Sequence, residues 1–500
     1  MENLKKKLIF GVFSGWGAQV LSLGMGLITL PMFFRYLPKE ELGVWMFFMG
    51  TSVFVNLADF GFSPVIGRHL AFELGKGDRE ASSNYAGSSY YYSLSRYISR
   101  VSAPILFVFM LVLGGFFIWA LELPEALKVH SLFAWVVFTL SQTVTCRWKF
   151  LQTTLNGHGE VGFQNIIEVI AQGLSLASYF VVMHFFKGGI LGLTIVVLGR
   201  SMFISALLQL TVRNRIPQTF RGKVKILWPD VKRHIRPAAD LFLISLGAFL
   251  ILNTDQYFIV QFLGAEQLPD YAAAYRMVQV AYIFASTASG MSIPYISRMS
   301  AAGDQSGLHR LLMINTTVGM VMQMAAVSLI AVYGDHLIQL WLGQGHFVGW
   351  NILWVFCIIL TLENHHVIFA SFGLNAKTDP TWGKMSVAAG VLNLILTFAG
   401  VQVLGLLGVA LATMVAQMLT NNWYAVVKTL RIIKMSFSEY VRHSGALWFT
   451  ASIVLILLLY GIRSVIHGAV VSLVTALCAT TALSAGVMFI FFKQRPLLDT

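Results

Sequence analysis

Charge is scarce in this chain: 35 Lys and Arg and 22 Asp and Glu in 500 residues, 11 % of the total, against roughly 25 % in a soluble domain. So little polar material excludes a large water-phase catalytic domain, a disordered tail and a repeat solenoid. Cysteine is scarce too. Cys146, Cys357 and Cys478 are odd in number, lie inside apolar stretches and lack metal-ligand spacing, so neither a disulfide framework nor a metal site is expected. No Gly-rich phosphate loop ending in Lys-Ser/Thr, no nucleophile elbow and no paired metal motif occurs. The chain therefore reads as a protein without a catalytic centre or a cofactor.

Apolar residues are abundant. They make up 57 % of the chain and glycine adds 43 residues, together about two-thirds of it, where soluble domains reach about 45–50 %. A helix needs about 20 apolar residues to cross roughly 30 Å of hydrocarbon, so the fold class is an all-α membrane protein. Apolar windows between charge and turn clusters predict fourteen spans, near 8–34, 42–64, 101–121, 131–152, 163–185, 190–212, 238–263, 271–296, 311–333, 350–373, 384–402, 405–427, 444–462 and 469–492. The run after Lys5–Lys7 continues to about Leu30, too long for a cleaved signal core, and predicts a retained signal-anchor helix.

The net charge of +13 orients the chain. With the N-terminus inside, twenty-eight Lys and Arg fall on the cytoplasmic side, including Arg79, Lys377 and Arg495, and five fall outside. Basic residues are held on the cytoplasmic side, so the even span count predicts that both termini are cytoplasmic. The basic surplus is thus an orientation signal, and no nucleic-acid partner is expected.

The chain also repeats itself. Leu37-x-x-Glu40-x-Leu42-x-x-Trp45 returns as Leu263-x-x-Glu266-x-Leu268-x-x-Tyr271, and Pro64-x-Ile66-x-Arg68 as Pro294-x-Ile296-x-Arg298. Leu155-Asn156 returns as Leu374-Asn375, and Gly189-Ile190-Leu191-Gly192 as Gly405-Leu406-Leu407-Gly408. Six spans separate the copies and six crossings restore the starting direction, so the halves are expected to be parallel repeats. The predicted organisation is a six-helix lobe over 1–212, a basic cytoplasmic linker over 213–236 that includes Arg221 and Lys223, a second six-helix lobe over 237–430, and two accessory spans over 431–500.

The stretch Arg35-Tyr36-Leu37-Pro38-Lys39-Glu40-Glu41-Leu42-Gly43-Val44-Trp45, then Asp59-Phe60-Gly61-Phe62-Ser63, then Asp255 with Phe262-Leu263-Gly264-Ala265, resembles the polysaccharide-transporter branch of the multidrug/oligosaccharidyl-lipid/polysaccharide exporter superfamily. Within it the likeness is to flippases for O-antigen and related polysaccharides. The resemblance implies a two-lobe bundle like that of the multidrug exporters, working by alternating access in the bacterial inner membrane. The implied substrate is an undecaprenyl-diphosphate-linked oligosaccharide for lipopolysaccharide or another surface glycan. Implied partners are that lipid, the membrane lipids, a coupling H+ or Na+, and a polysaccharide polymerase with its chain-length machinery.

Such a substrate needs a wet, cationic cleft, and ionisable residues inside spans are its first candidates. Arg200, near the middle of span six, is a candidate for diphosphate or glycan contact, with Glu168 on span five as its alternative structural partner. Arg276 and Asp255 lie at similar depth and read either as a salt bridge between helices or as a cavity pair. Arg68 and Arg298, equivalent in the two repeats, read as an inward-facing mouth or as headgroup anchors, and Arg35 as an outer receiving site or a headgroup contact. Asp59, Asp240, Asp255 and Glu363 are candidates for ion coupling. His365 and His366, adjacent on one helix, point about 100° apart and suit no shared metal. Tyr90-Tyr91-Tyr92 with Tyr97, and Trp341, Trp350 and Trp354, read as interfacial belts.

Two rival functions fit the same composition. One is cation-coupled export of drugs or small solutes by the same fold. The other is a membrane-embedded glycan polymerase or ligase, which the short outer loops disfavour.

Overall fold

The structure, a computed structural model, describes residues 2–77, 84–217, 224–376, 379 and 381–493. Arg79, Arg221, Lys223, Lys377 and Arg495 lie outside the described residues. Regular structure among the described residues is helical throughout. The helices are α1 (Glu2–Tyr36), α2 (Lys39–Thr51), α3 (Phe54–Leu57), α4 (Phe62–Gly77), α5 (Asn84–Ala120), α6 (Glu125–Gly157), α7 (Val161–His184), α8 (Gly189–Arg215) and α9 (Trp228–Leu252). They continue as α10 (Asp255–Leu263), α11 (Leu268–Ala302), α12 (Gln305–Leu342), α13 (Trp350–Ala376), α14 (Thr381–Leu419), α15 (Asn421–Ile432), α16 (Phe437–Tyr440), α17 (Ala446–Val465) and α18 (Ala469–Lys493).

Among the described residues eleven helices are long and apolar enough to cross a membrane, or twelve when the bent pair over 39–74 counts as one span. The protein is a multi-pass membrane protein. Two features separate this count from the expected fourteen. α11 carries the expected span 271–296, but Ser, Thr, Tyr and Gln dilute its apolar run and it is not among the eleven. Residues 381–432 count once although the chain reverses within them. Residues eight apart in a straight helix stand about 12 Å apart, whereas a Cβ placed on Gly400 would lie 2.6 Å from the carbonyl oxygen of Gly408. The reversal turns on Gly405, at φ +58, where glycine alone adopts the left-handed backbone without strain.

The chain forms two compact units, Met1–Phe249 with Gly264–Pro269 and Leu250–Leu263 with Asp270–Thr500. In the first, an aromatic core joins Trp45, Phe47 and Phe48 of α2 to Trp135 and Phe138 of α6, all nearly sealed from solvent. The Trp135 indole N–H donates to the Met110 carbonyl at 3.0 Å, as a buried indole requires. Glu41 of α2 accepts the Ile190 N–H at 2.6 Å and so caps α8. Tyr92, expected in an interfacial belt, is instead core, packed edge-on against Phe150.

In the second unit, the break between α9 and α10 leaves carbonyls at Leu250 and Ile251, and the Asn393 amide of α14 donates to both, at 3.1 and 3.4 Å. The accessory helices α17 and α18 dock on α12 through Val332, Tyr333, Leu455, Leu459 and Ala476. Tyr333 and Ser472 share a hydrogen bond of 2.8 Å. Arg463 of α17 meets Asp335 of α12 with two N–H donors, at 2.7 and 3.1 Å. Arg463→Met leaves that carboxylate with His336 alone and is expected to lower stability by about 1–2 kcal/mol. A melting curve in detergent checks this, and Asp335→Asn with Arg463→Met should recover most of the loss.

Burial follows the internal repeat. Ile66 and Ile296 are sealed while Arg68 and Arg298 are exposed, Leu42 and Leu268 are sealed, and Trp45 and Tyr271 are buried. At these motif positions the two copies agree in burial.

Candidate functional site

The first unit holds a cavity of about 220 Å³ between α2, α6, α7 and α8. Helix periodicity explains its walls. On α6, Gln142, Thr145, Lys149 and Gln152 recur at three- and four-residue steps and so share one face, as do Val197, Arg200, Ser201, Ile204, Ser205 and Leu208 on α8. Glu168 and Tyr179 enter from α7, Met49 from α2, and Ser52 follows α2. Ser205 donates to the Ser201 carbonyl at 2.7 Å, and Thr145 to the Ser201 hydroxyl at 3.1 Å, whereas the Ser52 hydroxyl is buried with no partner among the described residues.

Arg200 lies in this cavity, and its predicted partner is there. Its Nη2 stands 3.4 Å from Glu168 Oε2, with both side chains about one-third exposed. That single long contact is far from the two-point fork an Arg-carboxylate pair can make. Glu168 Oε1 also accepts from Gln152 at 3.2 Å. Arg200 Nε is buried and has no acceptor among the described residues.

Lys149, which sequence reading used only as a topological marker, also lines the cavity, and its ammonium stands 3.2 Å from Asp59. It donates further to Asn56 Oδ1 at 3.2 Å and the Val55 carbonyl at 3.4 Å. Asp59 sits where the expected span 42–64 breaks. Phe60 and Gly61 take positive φ of 50 and 79, and the helical axes on either side differ by 47°. The Asp59 carboxylate accepts the Gly61 N–H at 3.1 Å and the Ser63 N–H at 3.3 Å, so it caps the start of α4. Hydropathy windows do not register such a break, although an Asp two residues before a Gly is a turn signal.

The other predicted residues are dispersed. Asp255 and Arg276, both in the second unit, do not pair. Arg276 is partly buried and donates to Gln279 on its own helix at 2.7 Å. Asp255 accepts from Tyr271 at 3.1 Å and from Thr413 at 3.3 Å. Asp240 on α9 and Glu363 on α13 are partly buried. Arg35, Arg68 and Arg298 are exposed. His365 shares a 2.7 Å hydrogen bond with the Tyr440 hydroxyl, and His366 one of 3.1 Å with the Asn421 carbonyl, so the adjacent rings serve different neighbours. Among the described residues no group of three or more His, Cys, Asp or Glu is placed to hold a metal.

What sequence reading missed is the wall: Gln142, Thr145, Trp148, Lys149, Gln152, Tyr179, Ser201 and Ser205. The available signal was the polar stripe on α6, four polar residues at helical spacing inside an apolar span.

The probable low-salt glycan biosynthesis flippase Agl15 of Haloferax volcanii is 24 % identical over 170 residues, 34 % of this chain and 36 % of that one. The aligned stretch thus spans about a third of that relative. Among solved structures, the lipid II flippase MurJ in an inward closed conformation superposes with a TM-score of 0.72 at 14 % identity, covering 97 % of this chain and 99 % of that one. An inward-facing multidrug resistance MATE family transporter gives 0.64 at 13 % identity, covering 84 % and 96 %. These likenesses establish the fold. Residues 8–300 match the family described as polysaccharide biosynthesis protein. With more than half of the chain matched, the protein belongs to that family, the polysaccharide-transporter branch its sequence resembles.

Proposed function

We propose that the protein is a flippase that moves an oligosaccharide carried on undecaprenyl diphosphate across the bacterial inner membrane, from the cytoplasmic to the periplasmic leaflet, for O-antigen or another surface glycan. The observation that carries this reading is the cavity of the first unit. It places Arg200 and Lys149 among amide, hydroxyl and aromatic side chains inside a body whose outward helical faces are apolar. A diphosphate needs cationic donors out of bulk water, and sugars need hydroxyl, amide and ring partners. Family membership and the flippase named as a relative support the same reading.

Lobes over 1–212 and 237–430 rock to give alternating access, with both termini cytoplasmic. Arg68 and Arg298, each on the cytoplasmic side of its own lobe, meet the headgroup on entry, Arg276 contributes within the second lobe, and Arg35 receives the headgroup outside. Asp59, Asp240, Asp255 and Glu363 are the carboxylates through which H+ or Na+ would couple. The polymerase and chain-length machinery take the product.

The test uses full-length protein in liposomes loaded with a fluorescent undecaprenyl-diphosphate oligosaccharide. A membrane-impermeant quencher should reach the whole population over time with protein and about half without it. If the glycan lipid stays put while a cationic dye is exported along an ion gradient, the drug-export reading replaces this one.

A further inference from the structure

The Arg200–Glu168 contact is incomplete in a specific way. Nε–H and one Nη2 hydrogen share an edge of the guanidinium, the edge on which two oxygens of a phosphate or carboxylate sit side by side. Glu168 engages only the Nη2 end of that edge, at 3.4 Å, and Nε is buried without an acceptor among the described residues. The edge is thus occupied but not filled. Glu168 is also held from the other side, because Gln152 donates to its second oxygen at 3.2 Å. On leaving Arg200 it would keep a hydrogen-bonded resting place.

The internal repeat supplies a control. Carrying the offsets of the matched motifs forward, Arg200 corresponds to Ala416, Glu168 to Val387 and Lys149 to Ile368. Ala416 and Ile368 are fully buried. The second copy therefore builds the same helical positions from apolar residues, and the fold does not require an ion pair there. Nor does stability favour one, since a well-packed apolar replacement is often neutral or better.

Resting on the flippase reading, we infer that Glu168 is a built-in competitor for Arg200: a tethered carboxylate that a lipid-borne phosphate must displace on binding and that expels the phosphate on release. The cavity, about 220 Å³, is smaller than the roughly 300–1,000 Å³ of drug-sized pockets, so it takes one charged segment of the substrate rather than the whole glycan. A phosphate can fill both ends of the guanidinium edge and so outcompetes Glu168. Return of Glu168 from Gln152 restores the resting pair. The device lowers affinity to gain turnover, which suits a carrier that must let go.

The experiment titrates full-length protein in phosphatidylcholine vesicles with undecaprenyl diphosphate, read through Trp148 at the cavity wall with Trp148→Phe as the blank, alongside translocation of the fluorescent glycan lipid. Glu168→Gln is expected to bind undecaprenyl diphosphate about five- to tenfold more tightly and to translocate more slowly. A residue that merely props the fold would not move the two readouts in opposite directions. Arg200→Gln should lose the binding, with or without Glu168→Gln. A second titration with phosphatidylglycerol separates the sources: tightening toward both lipids keeps the competitor role but makes the occupant membrane phosphate, against the flippase reading. If Glu168→Gln binds equally or more weakly while Arg200→Gln abolishes binding, the competitor role is overturned and the flippase reading stands. If the unaltered protein binds no undecaprenyl diphosphate, both fall.

Discussion

Arg200→Ala is expected to cut translocation of the lipid-linked oligosaccharide about ten- to a hundredfold, the loss of one to two charge-assisted hydrogen bonds to phosphate at about 1.5–3 kcal/mol. The substitution also strips Glu168 of its cation, so a fall in transport alone would confound a binding defect with a structural one. Arg200→Ala combined with Glu168→Gln removes both charges and copies the neutral state that Ala416 and Val387 give the second repeat. The double variant should stay in the membrane at the normal level, melt normally and still fail to translocate. Arg200→Lys keeps the charge without the planar fork and should fall between the two. Full transport by the double variant would remove Arg200 from the substrate path.

The largest effect on stability is expected at Asp59. Its side chain is 5 % exposed and that of Lys149 15 %, and breaking a buried pair from one side costs about 3–5 kcal/mol. Asp59→Ala also abandons the Gly61 and Ser63 N–H groups at the break between α3 and α4. Little folded protein should be recovered, and what remains should melt far below the parent. Asp59→Asn keeps an acceptor for the cap, and adding Lys149→Met removes the orphaned cation, so that pair of changes should restore most of the stability. Transport by the restored protein then reads the pair's second role, because Lys149 also lines the cavity. Folded but inactive protein assigns Asp59 and Lys149 together to transport as well, and active protein assigns the pair to the clamp alone. Asp59→Ala melting like the parent would refute the clamp.

The sequence carries the membrane class and the approximate position of most helices because these rest on long apolar runs, which accumulate signal over twenty residues. Arg200 with Glu168 was legible for a related reason: one ionisable group on each of two consecutive spans leaves few alternatives. Asp255 with Arg276 looked equally constrained and was not. The azimuth of a side chain about its helix is invisible to hydropathy, and Arg276 points along α11 to Gln279. Asp255 instead drew Thr413 from α14, a contact 158 positions away that no local pattern encodes. Lys149 was overlooked because a lysine close to a span end normally snorkels to the interface; its carboxylate partner sits at a break that window averaging erased.

The Asp59–Lys149 bond also has an order in time. Helices α2 to α4 leave the ribosome roughly ninety residues ahead of Lys149, an interval of about 5–20 seconds at ordinary elongation rates. Throughout it the acid at the break lacks its ammonium partner, so the nascent second helix enters the bilayer with that carboxyl protonated or waits beside the insertion machinery. Chains truncated before α6 should therefore remain extractable from membranes over this segment. Those extended past Lys149 should become fully integrated, the result expected if α6 completes the insertion of a helix already synthesised.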